Sequence, residues 1–319
     1  MKRNTMNKSQ KTSPKRIRKE NPLKRIEKCT KWIAQCANDY LSHWERAVLR
    51  FELGDLQGAM EDYDQAIIIK PTCKEVFFNR GVINRISGNT QEAIIDFTRV
   101  IELDPYYVKA WKARAFAKYV LGNAAGAILD YDEVIFFDPG DSGAWYFRGI
   151  CKSMQDDHWG AIYDFDEALG IDPTLTEIYY NRGLCKHEGH DYKGAFDDFT
   201  MAIKIDPISP TAYINRATIR LEIEDLQGAL EDTVKAIELD PEDEQAYGNL
   251  GIIKQIMGNN VGAMDAFNRA IAVDPKYANS YLLRGLLNID LGYFAAGRLD
   301  LMKAAKMGLR DAEEYLDDL

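Results

Sequence analysis

Small, apolar and proline residues recur along this chain with a period of 34 residues. Seven prolines mark the period, from Pro71 to Pro275. If each of them is counted as position 32 of a repeat, eight repeats occupy residues 40–311. Self-similarity at a fixed period of this length is typical of stacked helical units, each of which contacts only its neighbours.

The apolar pattern within one repeat predicts two helices. Position 8 is Ala or Gly in every repeat, and position 20 is Ala in the first seven repeats and Gly297 in the eighth. Aromatic residues occupy position 4 in seven repeats and position 24 in six. Small residues let two helix axes approach closely while the large side chains fill the space beside them. Each repeat is therefore predicted to be an antiparallel helix pair.

The predicted turn between the two helices has its own signals. Glycine is expected to end the first helix in the left-handed conformation, and the Asp or Asn that follows is expected to cap the second helix. The glycines are Gly54, Gly88, Gly122, Gly258 and Gly292, and the caps are Asp55, Asn89, Asn123, Asp157, Asp191, Asp225 and Asn259.

The repeat resembles the tetratricopeptide repeat (TPR) family. The shared features are the small residue at position 8, Ala at 20, an aromatic residue at 24, a small residue at 27 and Pro at 32, over about 85% of the chain. The resemblance implies an all-α fold, a right-handed superhelix (α-solenoid) of antiparallel helix pairs. The eighth repeat departs most, with Gly297, Leu301 and Leu309 at the positions of Ala, the aromatic residue and Pro.

The ends of the array are predicted to carry caps. Apolar residues at helical spacing predict an N-terminal capping helix in residues 22–39, and residues 312–319 are predicted to form a C-terminal capping helix with Asp311 as its N-cap. Residues 1–21 lack this periodicity and are expected to form a basic disordered tail.

Charge divides the chain into two parts. The net charge is −10, yet residues 1–31 hold 12 Lys or Arg and two acidic residues. The basic segment has three interpretations: a solvated tail, a nuclear-localisation or nucleic-acid-binding segment, and a contact with a membrane surface or a partner. The first is favoured because short basic runs are common.

Positions 7 and 23 vary together. Arg occupies position 7 and Asp position 23 in the same seven repeats, and the seventh repeat replaces both, with Leu250 and Ala266. The joint loss favours structural ion pairs between the helices of a repeat, and a ladder of Arg that binds acidic groups is the alternative. The pairs singled out are Arg80 with Asp96, Arg182 with Asp198, and Arg216 with Asp232.

The family resemblance implies that the first helices line a concave, peptide-binding groove. Asn amides at position 6 are candidate partners for a peptide backbone, because an amide both donates and accepts hydrogen bonds. These residues are Asn79, Asn181, Asn215 and Asn249, with apolar contacts expected from Tyr146, Tyr180, Ile214, Phe116, Ile150 and Leu184. The other interpretation is that Asn is a common residue at this position and binds nothing.

The function predicted from these features is a non-catalytic protein-interaction scaffold that binds a neutral or basic extended segment. A body of net charge −20 after the basic segment disfavours nucleic acid in the groove. The alternative is a regulatory or targeting subunit whose basic tail contacts nucleic acid or a membrane surface. A carboxylate clamp of the kind found in co-chaperone TPR domains is incomplete, since Trp44, Val48 and Ala113 occupy three of its positions.

No enzyme, cofactor or metal site is predicted. The run Cys185, His187, His190 and Asp191 contains metal-ligating residue types, but it straddles the turn of the fifth repeat and Asp191 is expected to be a helix cap. Five cysteines without a C-x-x-C pair favour a reducing compartment, predicted to be the cytoplasm, or the nucleus in a eukaryote.

Overall fold

The computed structural model describes residues 21–317. These residues form α-helices joined by short turns, and no strand occurs among them, which confirms the all-α class. The predicted tail lies outside the described residues except for Asn21, whose side chain accepts a hydrogen bond from the Leu23 amide at 2.9 Å. The chain divides into two compact units, residues 1–121 and 122–319.

The first unit contains six helices within its described residues. They are α1 (Pro22–Gln35), α2 (Tyr40–Glu52), α3 (Leu56–Ile69), α4 (Lys74–Ile86), α5 (Thr90–Leu103) and α6 (Val108–Val120). Helix α2 packs against α3, and α4 against α5, as antiparallel pairs.

The second unit continues the same alternation. Its described helices are α7 (Ala124–Phe137), α8 (Ser142–Ser153), α9 (His158–Ile171), α10 (Thr176–Glu188), α11 (Tyr192–Ile205), α12 (Pro210–Glu222), α13 (Leu226–Leu239), α14 (Glu244–Ile256), α15 (Asn260–Val273), α16 (Ala278–Asp290), α17 (Phe294–Lys306) and α18 (Arg310–Asp317). Each first helix, from α8 to α16, pairs with the second helix that follows it.

Helix α1 takes the place of a second helix of a preceding repeat. It begins and ends 34 residues before α3 does. The Arg46 guanidinium donates to Thr30 Oγ1 in α1 at 3.0 Å, and Arg216 donates in the same way to Thr200 at 3.2 Å. The N-terminal cap therefore copies the packing of an ordinary repeat, a relationship that the apolar pattern alone did not reveal.

Glycine and three other residues provide the left-handed turn between first and second helices. All five glycines predicted for this role have positive φ, for example +83° at Gly54. The corresponding positions in the fourth, fifth and sixth repeats hold Asp156, His190 and Glu224, with φ between 59° and 62°. Side chains with a Cβ are strained in this conformation.

The predicted N-caps of the second helices are confirmed, with one exception. The Asp157 carboxylate accepts from the Gly160 amide at 2.9 Å, which satisfies a backbone donor of the first turn. Asn89 occupies the cap position without a side-chain hydrogen bond. The same contact as in Asp157 is made by Asp55, Asn123, Asp191, Asp225 and Asn259.

In the repeats with an aromatic residue at position 24, the core of the helix pair forms where that ring meets a small residue. Phe165, at position 24, is fully buried, and its ring lies over Gly149, at position 8. A Cβ built on Gly149 would lie 2.8 Å from Phe165 Cε1, so the ring occupies the space that any larger residue would need. This packing explains why position 8 is small where position 24 carries a large ring.

The C-terminal helix begins earlier than predicted. Helix α18 starts at Arg310, so Asp311 lies in its first turn and is not the residue before it. An acidic residue is also favourable inside the first turn, where it faces the positive end of the helix dipole. Ala312 and Leu316 pack on the eighth repeat as a cap.

Candidate functional site

Two Tyr–Asn contacts connect neighbouring first helices of the second unit. Asn181 Nδ2 in α10 donates to Tyr146 Oη in α8 at 3.1 Å. One repeat later, Asn215 Nδ2 in α12 donates to Tyr180 Oη in α10, also at 3.1 Å. These two Tyr–Asn rungs place predicted residues of positions 5 and 6 side by side in successive repeats.

The amide donors of the rungs are already engaged. Asn181 Nδ2 also donates to the backbone carbonyl of Glu177 at 2.8 Å, and Asn215 Nδ2 to that of Thr211 at 2.9 Å. An amide nitrogen carries two N–H donors, so only the Oδ1 acceptor of each Asn is left for a ligand. The predicted role of these two amides toward a peptide is therefore limited to accepting hydrogen bonds.

A groove of about 490 Å³ opens beside the first rung. Tyr146, Tyr180 and Asn181 line it, with Ala202 and Ala212 at its base. Burial raises the pKa of Tyr180 and outweighs the hydrogen bond that its oxygen accepts from Asn215. The hydroxyl stays protonated at neutral pH and can donate its hydrogen. The remaining lining residues are Thr176, Glu177, Asp206, Ser209 and Thr211.

The other two predicted Asn residues have different surroundings. Asn249 Nδ2 donates to Thr218 Oγ1 at 3.4 Å and so makes a longer contact than the two rungs. Asn79 belongs to the first unit, where Trp44 and not a Tyr occupies position 5 of the preceding repeat. Neither residue repeats the Tyr–Asn geometry.

The predicted apolar contacts are divided between groove and core. Ile214 is 6% exposed and packs with Ala236 and Ala246, so the structure places it in the core and not beside the groove. Ile150 and Leu184 are half-buried and pack against core clusters of their own repeats.

Phe116 is the remaining predicted contact and lies in the first unit. The Arg85 guanidinium lies 5.6 Å from the centre of its half-buried ring. A cation over an aromatic face is a favourable contact. Arg85 therefore already contacts the Phe116 ring, which was predicted to contact a ligand.

The Arg and Asp residues of positions 7 and 23 lie in bidentate contact. Arg182 Nη2 and Nε donate to the two Asp198 oxygens at 2.5 and 2.9 Å, and the Asp198 side chain is 3% exposed. Burial works against the charge of Arg182, but hydrogen bonds to Asp198 and Asp166 outweigh it and raise its pKa. Arg80 with Asp96 and Arg216 with Asp232 are joined in the same way.

Two further ion pairs of this network were missed from the sequence, one made by the buried carboxylate and one by the arginine. Lys186 Nζ, at position 11, lies 2.8 Å from Asp198 Oδ2, and Arg182 also reaches Asp166 in the preceding repeat. Position 11 is Lys or Arg in six repeats and Asn in two, a signal that comparison of the repeats could have detected. The carboxylates are thus surrounded by donors within the array, which favours the structural interpretation of the Arg ladder.

The seventh repeat replaces this polar network with apolar contacts. Leu250 and Ala266 occupy the Arg and Asp positions. Val234, in the sixth repeat, occupies the position at which Asp166 of the fourth repeat pairs with Arg182. Tyr247 at position 4, which an Arg at position 7 would cover, instead has the Arg269 guanidinium 5.7 Å from its ring centre. Loss of the Arg and the Asp together avoids leaving either charge buried without its partner, while the seventh repeat keeps Lys254 at position 11.

The turn of the fifth repeat contains the residues considered for metal binding. Asp191 accepts from the Gly194 amide at 3.0 Å as a helix cap, and His190 Nδ1 lies 3.1 Å from Tyr192 Oη. Across residues 21–317, no group of three or more His, Cys, Asp or Glu is placed to hold a metal ion. None of the described helices is both long and apolar enough to cross a bilayer.

Comparison with known families identifies the class of protein. Models of the tetratricopeptide repeat family match residues 46–108 and 244–277. Together with the 34-residue helix pairs described above, these matches show that the chain belongs to the tetratricopeptide repeat family. No curated protein sequence matches it significantly.

Solved structures share the fold at low sequence identity. A tetratricopeptide repeat protein from Parabacteroides merdae ATCC 43184 is 22% identical with a TM-score of 0.56, over 78% of this chain and 98% of that one. YrrB, described as a TPR protein with an unusual peptide-binding site, is 20% identical with a TM-score of 0.51, over 58% and 95%. The APC/C hetero-tetramer Cut9–Hcn1 is 15% identical with a TM-score of 0.59, over 93% and 58%.

Proposed function

We propose that this protein is a non-catalytic scaffold that binds an extended segment of a partner protein along α8, α10 and α12. The observation that carries the proposal is the repeated Tyr–Asn rung beside an open groove. Two equivalent rungs, one repeat apart, suit a ligand that is itself periodic, and an extended polypeptide is such a ligand.

The spacing of the rungs agrees with an extended chain. Packed helices lie about 8–10 Å apart and each repeat contributes two of them, so adjacent rungs lie within about 20 Å. An extended chain rises about 3.3 Å per residue and spans that distance with up to about six residues. The Oδ1 atoms of Asn181 and Asn215 can accept from backbone N–H groups of the ligand. Each such bond contributes about 0.5–1.5 kcal/mol, so apolar contacts with Tyr146 and Tyr180 must add to the affinity.

A structural neighbour adds support by analogy. YrrB is described as having a peptide-binding site and shares the fold of this chain. The sequence-based alternative, a regulatory or targeting subunit acting through its basic tail, depends on residues outside the described part of the chain, and no observation favours it.

The proposal includes a reducing location, the cytoplasm or, in a eukaryote, the nucleus. All five cysteines are free thiols, and four of them are buried. Free, buried thiols are usual in proteins of reducing compartments.

The experiment is a selection of peptides on the full chain from a random display library, followed by affinity measurements on purified variants. The double variant Asn181→Ala with Asn215→Ala is expected to weaken the selected peptides about tenfold, because it removes two acceptors and disturbs both tyrosines. The matched control, Lys193→Ala with Gln227→Ala, changes exposed residues on the second helices of the same repeats. Equal affinity for both double variants would refute the groove as the binding site.

A further inference from the structure

Hydrogen-bond acceptors outnumber hydrogen-bond donors among the side chains that line the groove, and this excess indicates the chemistry of the ligand. We infer that the groove beside Tyr146 and Tyr180 binds an arginine or lysine side chain of the extended segment, recognised by the carboxylates of Glu177 and Asp206. This inference rests on the proposed function and specifies what that groove selects.

The first line of support is the charge of the lining. Glu177 and Asp206 are its ionisable carboxylates, and no Lys, Arg or His occurs among the described residues that line it. Within residues 21–317, neither carboxylate lies in an ion pair. By contrast, the buried Asp198 carboxylate of the same repeat is paired with Arg182 and Lys186. A ligand cation would therefore meet unpaired negative charge.

The second line is the hydrogen-bond inventory. Asn181 uses both amide hydrogens on Tyr146 and on the Glu177 carbonyl, and its Oδ1 can only accept. Asp206 Oδ1 accepts from the Ile208 amide at 3.2 Å, which leaves its second oxygen for another donor. The hydroxyls of the lining can each donate one hydrogen bond, but the carboxylate oxygens and Asn181 Oδ1 can only accept. A ligand with several donors therefore fits best, and a guanidinium supplies five N–H groups while an ammonium supplies three.

The third line is the position of α11. This helix ends at Ile205 with Asp206 as its C-cap. Ala202 and Asp206 line the groove, while Lys204 of the same turn is exposed and is not among the lining residues. The carboxyl end of a helix carries about half a negative charge from its aligned peptide dipoles. This partial charge adds to the two carboxylates and favours a cation at the same place.

A groove in the first unit shows the opposite arrangement and serves as an internal comparison. Glu45 occupies position 6 of the first repeat, and Arg25 lies 2.5 Å from its carboxylate. Both residues line a groove of about 410 Å³ with Trp44 and Val48. In that groove Arg25 is the cation that pairs with the lining carboxylate. In the groove beside Tyr146, a cation of the ligand would take the corresponding role.

The test uses the peptides selected on the full wild-type chain. They are expected to be enriched in Arg or Lys, and replacement of that Arg by citrulline, which keeps its shape but removes its charge, should weaken binding about tenfold. In Glu177→Gln with Asp206→Asn, the Arg and citrulline peptides should bind equally. The amide at position 206 can still accept from Ile208, so the turn is retained.

The control variant removes the same amount of charge elsewhere in these repeats. Glu167→Gln with Asp197→Asn changes exposed carboxylates of the second helices and should leave the preference for Arg over citrulline unchanged. Circular dichroism melts verify the fold of each variant, and the citrulline comparison on wild type needs no variant.

The outcomes separate the inference from the proposed function. Peptides that require Asn181 and Asn215 but show no enrichment in Arg or Lys would overturn the inference alone. An unchanged Arg preference in the Glu177→Gln, Asp206→Asn variant would also overturn it. Peptides that are insensitive to Asn181→Ala with Asn215→Ala would overturn both the proposed function and the inference.

Discussion

The ring of Phe165 lies directly on the backbone of Gly149, across the two helices of the fourth repeat. The same arrangement joins Phe199 to Gly183 in the fifth repeat, where a Cβ on the glycine would lie 3.0 Å from the ring. Where position 8 is Ala, position 24 is Tyr or Thr and never Phe, as with Ala47. The small residue and the ring therefore determine together how closely the two helices pack.

Gly149→Ala is expected to destabilise the protein by about 1–3 kcal/mol, because the methyl group must displace the buried ring. Gly170→Ala in the same repeat is the matched control, since nothing lies within 4 Å of a Cβ there and the substitution should stabilise helix α9 by about 0.5–1 kcal/mol. Urea unfolding of both variants measures the difference. Equal effects would show that the ring does not limit the size of position 149.

Glu224→Gly is expected to stabilise the protein by about 0.5–1 kcal/mol. Glu224 has φ of +62°, a conformation that costs a residue with a Cβ about 1–2 kcal/mol, part of which is offset by the chain entropy of glycine. Glu222→Gly, in the last turn of α12, should have the opposite sign because it weakens a helix. A lower unfolding midpoint for Glu224→Gly would contradict the strain argument.

Asp198→Ala is expected to cost about 3 kcal/mol, because it leaves Arg182 and Lys186 half-buried without their carboxylate. The double variant Arg182→Leu with Asp198→Ala, which copies the seventh repeat, should cost less than the sum of its single substitutions. A double-mutant cycle from urea unfolding measures this coupling. Strict additivity would show that the two residues do not act as a pair.

Cys151 is expected to resist alkylation in the folded protein at pH 8. Burial raises the pKa of its thiol from 9.0 to about 11, so the thiol form predominates and about one molecule in a thousand is ionised at that pH. Cys36 is exposed and serves as the reactive control. Iodoacetamide labelling read by mass spectrometry, before and after unfolding, compares the two. Equal labelling of both thiols in the folded protein would contradict the burial of Cys151.

Local features of the fold were predictable because they depend on neighbours in sequence. The left-handed glycine at Gly54 and the cap at Asp157 each involve contacts within a few residues, and eight copies of the repeat made those signals unambiguous. The joint replacement of Arg by Leu250 and of Asp by Ala266 in the seventh repeat likewise indicated which two positions face each other. The start of the C-terminal helix was predicted too late, with Asp311 as the N-cap, because this helix occurs once and offers no such comparison.

Contacts between repeats required the tertiary structure. The Tyr180–Asn215 rung joins residues 35 apart, and the Arg182 contact with Asp166 joins the fifth repeat to the fourth. Ile214 has the sequence position of a groove residue, yet it is buried.

Helix periodicity and short-range hydrogen bonds were enough to predict the 34-residue helix pair, its turns, and the small and aromatic residues of its core. Only the packing of the repeats shows which donors of Asn181 are already used, and that carboxylates such as Glu177 make no ion pair within residues 21–317. The physical reason is that the angle and distance between successive helix pairs depend on the packing of whole side chains. That packing determines whether a polar group meets a partner of its own chain or is left for a ligand.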